Sequence, residues 1–569
     1  MVQKAKTNLY LVFFIFGLVA GISCTVLGIF LRINYDGIFL PQLAAQGLIS
    51  NTSGEIESQA VLTLGPLAKY STFIGATFVN ILIYGVFGIL LGKFFQRIKQ
   101  SNLGIRFILS TLIPYIFMLA IAVILLIIST TPGQSILYPT VKSIALFLLP
   151  HMIFGLVFVL LLGNKGRRGV VSQLQSKEYD LTPPDKKPTP TIPIRDTDYN
   201  KRDMIKALLI SVVAIPLIYL GFNRLISGSE QKTQPSASSS SDTVIRQILQ
   251  SKSKPAGFEN PLLTPLVDAE ITPTYLFYRI DINTVVPNVD VTTWSLTLKG
   301  LVDTPMTFNY DQIKKMESVE QFATLACISN KLGGNLISTA LWKGVRLKDL
   351  LVKTGVKPNV KYIVFRCSDG YDVGIPIESG MLDGTILAYD MNKSPLTSEH
   401  GYPLRAIVPG FYGMMNPKWI LEIELVDKTY EGFWQRKGWT NNGIDAINST
   451  IVFPGNQPID DRFPHLVTSN AFPQGKNIPI AGIAFAGDRG IAKVEVSVDG
   501  GKTWKTAVVK DPLSQYTWVL WTTGFVAPDK GSYEIVVRAT DKTGEVQTST
   551  LVDPYPNGAQ GYNRVDLTV

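Results

Sequence analysis

The sequence predicts a multi-domain chain: an N-terminal all-α transmembrane bundle of five spans, a central α+β domain and a C-terminal antiparallel β-sandwich. Three observations lead to this prediction. Five long apolar runs precede residue 227, a Ser-rich segment follows them, and short strands with regularly spaced turns occupy the C-terminal part. We expect the transmembrane region at 1–227, a tether at 228–257, the α+β domain at 258–457 and the sandwich at 458–569.

The apolar runs carry the membrane prediction. A helix needs about 20 mostly apolar residues to cross the hydrocarbon core of a bilayer, and each run has about that length. The first run is not expected to be a cleaved signal peptide, because its apolar core is too long and no small-residue cleavage site closes it. The five predicted spans are Leu9–Leu31, Thr72–Leu91, Phe107–Ile128, Ile144–Leu162 and Ile205–Phe222.

The distribution of charge predicts the orientation of the bundle. Residues 1–226 contain 20 Lys and Arg against 9 Asp and Glu, whereas the rest of the chain contains 33 and 35. The basic excess therefore lies in loops of the membrane region, which argues against nucleic-acid binding. Nine basic residues lie between Lys165 and Arg202, while loops 32–71 and 129–143 contain few. The positive-inside rule predicts a multi-pass cell-membrane protein with a cytoplasmic N-terminus and extracytoplasmic C-terminal domains.

The α+β prediction comes from the segment after about Ile271. Val289–Leu301 alternates apolar and polar residues, as a half-buried strand does, and Tyr362–Arg366 also predicts a strand. Asp311–Lys315 and Leu347–Thr354 predict short helices. Short strands and helices without regular βαβ spacing are typical of an α+β domain.

The composition changes on both sides of this domain. Residues 228–257 are rich in Ser, Lys and Gln, so they cannot bury a core and are predicted to be a flexible tether. After Pro458 the spacing of turns predicts an antiparallel β-sandwich. The turn motifs are Asp499-Gly500-Gly501, Asp529-Lys530-Gly531 and Asp541-Lys542-Thr543-Gly544.

Three cysteines and three histidines are too few for a disulfide scaffold or a zinc cluster. Cys24 lies in an apolar run and Cys367 in a predicted strand, where buried, inert thiols are expected. Spacing alone leaves a Cys327–Cys367 disulfide open. Cys327 stands in a short apolar run before a Gly-Gly turn, so a structural thiol is the prediction on local grounds. His151, in the fourth run, is expected to be packed or interfacial rather than a haem ligand.

The segment around Cys327 resembles the metal-binding segment of the sulfite oxidase family. A Cys-x-x-Asn run, Cys327 to Asn330, precedes a Trp-x-Gly-x-x-Leu turn, Trp342 to Leu347, and the likeness covers roughly residues 260–569. The resemblance implies that 258–457 is a sulfite-oxidase-type molybdopterin domain and that an immunoglobulin-like domain follows. It also implies a molybdenum–molybdopterin cofactor whose metal binds the thiolate of Cys327, a soft ligand suited to that metal.

Four further blocks follow the order of this family. By resemblance, an aromatic-x-Arg segment borders the pterin and a substrate anion, with Arg279 catalytic beside Cys327. An Asp contacts the pterin, a His and an Arg hold the pterin and its phosphate, and a last turn adds a phosphate-binding Lys. Taken singly, an Arg beside aromatic residues is more often a surface stack, and the other residues are consistent with an Asp-Gly turn and a basic patch. They are Phe277, Tyr278, Arg279, Ile280, Asp281; Asp369; His400, Arg405; and Asn416, Pro417, Lys418.

Three positions depart from the family pattern. Leu332 and Met415 stand where the family has Arg, and Trp439 stands where it has a Tyr. The loss of two cations and a hydroxyl should weaken selection for a small dianion such as sulfite. A larger or less charged substrate is the alternative.

The sequence therefore predicts an enzyme, a sulfite oxidase-like molybdenum oxidoreductase that transfers an oxygen atom on a small oxyanion or sulfur compound outside the cytoplasm. Two alternatives stay open: a sulfoxide or other oxyanion reductase of the same family, and a cofactor-free membrane-tethered binding protein. The sequence contains no haem or iron–sulfur motif, so an external electron carrier (a cytochrome, copper protein or quinone) is expected. The C-terminal domain predicts a homodimer by resemblance; a monomeric spacer is the alternative.

Export of a folded, cofactor-loaded domain needs a suitable route. Residues Asn200–Lys206, NKRDMIK, are similar to the twin-arginine export motif, with Lys201 in place of the first Arg. The alternative is that the two basic residues mark only the cytoplasmic flank of the fifth span.

Overall fold

The structure is a computed structural model, which describes residues 2–35, 37–64, 67–98, 102–129, 141–162, 220, 256–283, 286–454, 472 and 474–569. The chain divides into two compact units. The first contains residues 1–51 and 69–230, and the second contains residues 52–68 and 231–569. The Asn200–Lys206 motif lies outside the described residues, as do most of the tether and, apart from Leu220, the fifth predicted span.

Long apolar helices build the first unit, because helices satisfy every backbone hydrogen bond without water. Four of them are long and apolar enough to cross a membrane: Leu9–Tyr35, Tyr70–Arg97, Leu103–Ile128 and Val141–Leu162. Four of the five predicted spans are thereby confirmed as apolar helices. The helices are α1 (Val2–Tyr35), α2 (Leu40–Asn51), α4 (Leu67–Arg97), α5 (Leu103–Ser129) and α6 (Val141–Leu162).

His151 of α6 is buried, as expected. Its Nε2 lies 3.0 Å from the hydroxyl of Tyr84, and its Nδ1 lies 2.8 Å from the carbonyl oxygen of Phe147. The thiol of Cys24 donates to the same Tyr84 hydroxyl at 3.1 Å. Each polar group thus has a partner, as a buried group among apolar helices requires.

The second unit contains short helices that cap the sheets. The helix α8 begins with a capping box, in which Asn309 accepts from the backbone N–H of Gln312 at 2.9 Å and Gln312 accepts from that of Asn309 at 2.8 Å. The helix α9 ends at Gly355, which has φ +70°. The helices are α3 (Gly54–Leu64), α7 (Thr264–Asp268), α8 (Tyr310–Lys314), α9 (Leu347–Thr354) and α10 (Ile377–Gly380).

Sheet A has the strand order β2-β1-β10-β5-β6, with β1 parallel to β10 and the other pairs antiparallel. Its strands are β1 (Ser295–Gly300), β2 (Met306–Asn309), β5 (Tyr362–Cys367), β6 (Asp372–Pro376) and β10 (Ile420–Val426). The predicted strand Val289–Leu301 was wrong at its start. There the carboxylate of Asp290 accepts from the backbone N–H of Thr292 at 2.9 Å and forms a turn instead.

Sheet B is antiparallel, with the order β3-β4-β7-β8 and with β9 paired to β7. Its strands are β3 (Val319–Ala326), β4 (Ile337–Arg346), β7 (Ile386–Met391), β8 (Ser394–Pro395) and β9 (Arg405–Ile407). Sheets A and B, together with the short helices, form the predicted α+β part. Cys327 and Cys367 are both free, so the disulfide that the spacing left open does not form.

Two antiparallel four-stranded sheets form the C-terminal β domain, with the orders β11-β12-β16-β15 and β14-β13-β17-β18. The first contains β11 (Asn448–Phe453), β12 (Asn477–Phe485), β15 (Val508–Val509) and β16 (Val519–Val526). The second contains β13 (Ile491–Ser497), β14 (Lys505–Thr506), β17 (Ser532–Asp541) and β18 (Asn563–Thr568). Trp521 is fully buried in this domain, and its indole N–H donates to the carbonyl of Ile483 at 3.0 Å.

A buried carboxyl group precedes β11. Asp445 is 2% exposed, and neither of its carboxylate oxygens has a hydrogen-bond partner among the described residues. Burial raises the pKa of Asp445 well above its usual value, although the charge of Arg489 opposes this shift. The folded chain therefore retains a proton that the unfolded chain loses, so this group makes the free energy of unfolding fall as pH rises above about 4.

We expect Asp445→Asn to raise the free energy of unfolding by about 1–3 kcal/mol at pH 8, because the amide carries no charge to desolvate. The difference should shrink towards zero at pH values below about 4. The Tm of the full chain in detergent at both pH values measures this effect. Asp529→Asn, in an exposed turn, is the control. An Asp445→Asn variant that is no more stable than the wild type at pH 8 would contradict the expectation.

Candidate active site

All twelve residues that the sequence predicts for the site line one cavity in the second unit. The cavity lies where sheet B, the 277–282 segment and the loop before β10 meet. The lining includes the twelve predicted residues Phe277, Tyr278, Arg279, Ile280, Asp281, Cys327, Asp369, His400, Arg405, Asn416, Pro417 and Lys418. Residues separated by up to 141 positions thus converge on one place.

Cys327 follows directly after β3 and is held by the loop that comes next. Its backbone N–H donates to the carbonyl of Leu336 at 2.8 Å, and the side chain of Asn330 accepts from the N–H of Leu336 at 3.0 Å. Gly333 adopts φ +69° in this loop, a conformation that the Gly-Gly pair allows. The thiol is buried, with Sγ 3.0 Å from Oγ of Ser329. Burial raises its pKa, and the hydrogen bonds with Ser329 oppose this shift.

Asp281 links two cations at the cavity wall. Its Oδ2 accepts from Nε of Arg279 at 2.5 Å, and its other oxygen accepts from the ammonium of Lys418. Lys418 also donates to the carbonyl of Glu399 at 3.0 Å and lies 4.4 Å from the ring centroid of Trp419. Two cations and one carboxylate leave a net positive charge on this wall.

Arg405 of β9 adds a third cation. It donates from Nη1 to the carbonyl of His400 at 3.1 Å, and its guanidinium lies 4.8 Å from the ring centroid of Trp342. Its Nε is buried and has no hydrogen-bond partner among the described residues. Burial lowers the pKa of Arg405 to about 10, so the side chain remains charged at neutral pH. An anion in the cavity would satisfy this donor.

His400 is neutral in this surrounding. Burial, together with the nearby charges of Lys418 and Arg405, lowers its pKa to about 3. Its Nε2 lies 2.9 Å from the carbonyl oxygen of Thr274, and its ring packs edge-on against Phe277 with centroids 5.6 Å apart. His400 can therefore form a hydrogen bond with a ligand but adds no charge to the cavity.

The segment 277–281 and the turn 416–418 are held in place by hydrogen bonds that involve the backbone. The N–H of Tyr278 donates to the hydroxyl of Ser338 at 3.1 Å, which fixes the 277–281 segment against β4. The side chain of Asn416 accepts from the N–H of Val408 at 2.6 Å and donates to two carbonyls. The carbonyl of Pro417 accepts from the N–H of Ala406 at 2.9 Å.

Asp369 is one of three acidic residues in the described lining, with Asp281 and Glu57. Its Oδ1 accepts from the N–H of Tyr371 at 3.0 Å, as expected for an Asp-Gly turn. Burial nevertheless raises its pKa to about 7. The carboxyl group is therefore only partly ionised near neutral pH, and the cavity keeps its positive balance.

The three positions that depart from the family pattern do not lie together. Trp439 lines the cavity, and its indole nitrogen is buried without a partner among the described residues. Neither Leu332 nor Met415 is among the described residues that line the cavity. Leu332 lies beside Gly561, where an added Cβ would be 3.1 Å from its Cδ1, and the sulfur of Met415 accepts from Gln435 at 3.4 Å. Of the three, Trp439 alone is among the described residues that line the cavity.

Several lining residues were not predicted from the sequence. Ser329, Tyr371 and Met414 are neighbours of predicted positions, so a wider window around each motif would have found them. The helix α3 is different: it lies in the sequence between two apolar spans and carries no motif. Its contribution to the lining is Glu57, Ser58 and Val61.

Comparison with known proteins gives two family matches. The model described as oxidoreductase molybdopterin binding domain matches residues 283–434, and the model described as Mo-co oxidoreductase dimerisation domain matches residues 447–555. An uncharacterized oxidoreductase of Bacillus subtilis (strain 168), YuiH, is 32% identical over 164 residues, which are 29% of this chain and 81% of that protein.

Longer relatives match over about half of this chain. The NADH nitrate reductase 1 of Oryza sativa subsp. japonica is 27% identical over 358 residues, 52% of this chain and 38% of its own length. The mitochondrial sulfite oxidase of Rattus norvegicus is 27% identical over 322 residues, 50% of this chain and 59% of its own length. The chain therefore spans less than two thirds of the length of either relative.

Proposed function

Because this chain belongs to the sulfite oxidase family of molybdopterin oxidoreductases, we propose that it transfers an oxygen atom on a small oxyanion or sulfur compound outside the cytoplasm. The observation that carries the proposal is the convergence of twelve motif residues, Cys327 among them, on one positively charged cavity. As a member of the family, the chain is a molybdenum oxidoreductase with a molybdenum–molybdopterin cofactor. Membership of the family therefore excludes the other alternative, a cofactor-free binding protein.

The cavity fits this cofactor by its donor chemistry. Arg279, Arg405 and Lys418 outnumber the fully ionised carboxylates, and the buried Nε of Arg405 lacks an acceptor that a phosphate oxygen would provide. In our proposal, Arg405 and Lys418 hold the phosphate, His400 and Asp369 contact the pterin, and the thiolate of Cys327 binds the metal. The bound cofactor supplies the two-electron chemistry, while these residues hold and orient it.

In our proposal, the substrate binds beside the apolar part of the lining. Trp434, Trp439 and Met414 bring apolar surface to the lining, with Arg279 as the catalytic cation that faces the substrate in our proposal. Apolar walls and a cation already paired with Asp281 favour a substrate with less charge than sulfite. Reduction of a sulfoxide or another oxyanion is the second candidate, since the relatives include proteins named nitrate reductases.

The position of α3 supports an extracytoplasmic site and a fifth span. Residues 52–68, in a loop that the charge pattern predicts outside, belong to the same compact unit as residues 231–569. Both must then lie on one side of the membrane, which requires an even number of crossings between them. The helices α4, α5 and α6 supply three. We propose the apolar run Ile205–Phe222 as the fourth crossing.

We further propose a homodimer and an external electron carrier. The match of residues 447–555 to a dimerisation domain supports association through the immunoglobulin-like sandwich. Electrons must enter or leave the site through another molecule, such as a cytochrome, copper protein or quinone, because the sequence contains no haem or iron–sulfur motif.

Metal analysis and two assays of the purified full chain test the proposed reaction. We expect close to one molybdenum atom per chain, and either sulfite oxidation with ferricyanide as acceptor or reduction of methionine sulfoxide or nitrate with reduced methyl viologen. The active assay decides the direction. Absence of molybdenum together with inactivity in all three assays would overturn the proposal.

Reporter fusions test the proposed location. A reporter that is active only outside the cytoplasm should be active after Val569 and inactive after Lys99, which lies in a predicted cytoplasmic loop. The reverse pattern would contradict the proposed topology.

A further inference from the structure

The helix α3 forms part of the cavity wall although it lies outside the catalytic domain in the sequence. It belongs to the compact unit of the cavity and contributes Glu57, Ser58 and Val61 to its lining. The segments on either side of it in the chain lead into the apolar helices α2 and α4. A loop between two membrane spans thus supplies one wall of the site.

The start of α3 is fixed to the loop that contains Trp439. The ammonium of Lys437 donates to the carbonyl of Thr52 and to Oε1 of Glu57, both at 2.9 Å. Gly54 lies so close to this loop that an added Cβ would be 2.7 Å from Nε1 of Trp439 and 2.8 Å from the carbonyl oxygen of Lys437. Only glycine permits this close approach, so the start of α3 packs against this loop in one specific position.

Three polar atoms at this end of the cavity have no hydrogen-bond partner among the described residues: Oε2 of Glu57, Oγ of Ser58 and Nε1 of Trp439. Ser58 is 2% exposed and Trp439 is 5% exposed. A buried polar atom without a partner costs free energy that a bound ligand can recover. Oε2 of Glu57 can accept a hydrogen bond, the hydroxyl of Ser58 can donate or accept one, and Nε1 of Trp439 can donate one.

Above about pH 7, where Glu57 is ionised, its charge balances that of Lys437. The ion pair of Glu57 and Lys437 is largely buried, with side-chain exposures of 15% and 7%. Burial raises the pKa of Glu57 to about 7, and Lys437 opposes that shift. A second negative charge placed beside Glu57 would be repelled in a poorly solvated site.

We infer that Glu57 and Ser58 of α3 are specificity-determining residues that face the substrate, where they favour a sulfur oxide with at most one net negative charge and a hydrogen-bond donor over a dianion. This inference rests on the proposed function, because it assigns a substrate class to the same site. Glu57 accepts the donor of the substrate and repels dianions, and Ser58 adds a hydrogen bond that does not depend on charge.

The charge effect is tested with sulfate, an inert dianion, and the holoprotein. Sulfate should bind Glu57→Gln at least about 10-fold more tightly than wild type, since the amide keeps the shape of the side chain and leaves Lys437 unneutralised. Isothermal titration of the full chain at about pH 8, where Glu57 is mostly ionised, measures the Kd. The matched control is Glu55→Gln, an exposed residue in the first turn of the same helix, which should leave the Kd unchanged.

The hydrogen-bond effect is tested by turnover. In whichever direction is active, Glu57→Gln should either lower kcat/KM for methionine sulfoxide or raise kcat/KM for sulfite, by at least about 10-fold. Ser58→Ala should lower kcat/KM for methionine sulfoxide by about 3- to 10-fold, the value of one lost hydrogen bond, and should not tighten the binding of sulfate.

The outcomes separate this inference from the proposed function. If the wild-type chain contains molybdenum and Glu57→Gln changes neither the Kd for sulfate nor kcat/KM for the active substrate, the inference alone is overturned. A wild-type chain that lacks molybdenum and activity overturns the proposed function as well.

Discussion

Replacing Cys327 with Ser is expected to lower kcat for oxygen-atom transfer by about 1000-fold or more, which corresponds to about 4 kcal/mol of transition-state stabilisation. A soft thiolate suits the metal centre, whereas a hydroxyl is a harder ligand with a much higher pKa. The side chains are nearly isosteric, and Cys327 is buried in a well-ordered loop, so the fold should be retained.

Cys367→Ser is the matched control, since Cys367 is a buried, free cysteine of the same domain that does not belong to the described lining of the cavity. It should retain wild-type activity, with at most a lower Tm. Activity and molybdenum content are measured for both variants and the wild type. A wild-type chain with less than about a tenth of a molybdenum atom, together with a Cys327→Ser variant no different from it, would contradict the assignment of an enzyme.

Arg405→Met should reduce the cofactor content of the purified chain by about 10- to 100-fold, because a charge-assisted hydrogen bond contributes about 1.5–3 kcal/mol. Methionine keeps the length of the side chain but removes the charge that would hold the phosphate. The cofactor-free form of the same variant should have a higher Tm than cofactor-free wild type. The buried Nε of Arg405 has no partner there, and its removal relieves the cost of desolvation.

Arg366→Met is the control for this change. Arg366 lies on β5, is 31% exposed and pairs with Glu422 at 3.2 Å and Glu424 at 2.8 Å, away from the cavity lining. Its replacement should leave the cofactor content unchanged. Equal cofactor content in Arg405→Met and wild type would show that the phosphate is held elsewhere.

Much of the architecture follows from local patterns. Apolar runs of sufficient length predicted five spans, and four of them are confirmed as long apolar helices, which satisfy their own backbone hydrogen bonds. The helix Leu347–Thr354 was predicted with the bounds that it has, because Gly355 provides the left-handed residue that ends it. The strand predicted at Val289–Leu301 begins only at Ser295, since the Asp290 side chain competes for backbone N–H groups that a strand would use.

The residues of the cavity were predictable because each occurs in a short motif whose spacing a family resemblance can match. The order of those motifs identified Cys327, Arg405 and Lys418, although no local property of Cys327 distinguishes it from Cys367. The roles of the departures were not predictable: Leu332 and Met415 stand in motif positions, yet their side chains pack against Gly561 and Gln435 instead. The direction of a side chain depends on packing against residues far away in the sequence.

The membrane character, the cofactor chemistry and the motif residues are thus properties of the sequence alone, since each depends on local composition or on a short pattern. The contribution of α3 is a property of the tertiary structure alone. Glu57 and Lys437 are 380 residues apart, and nothing near either residue predicts their ion pair at 2.9 Å. Which side chains complete the lining of the cavity depends on how distant segments pack together, and local patterns contain no information about that packing.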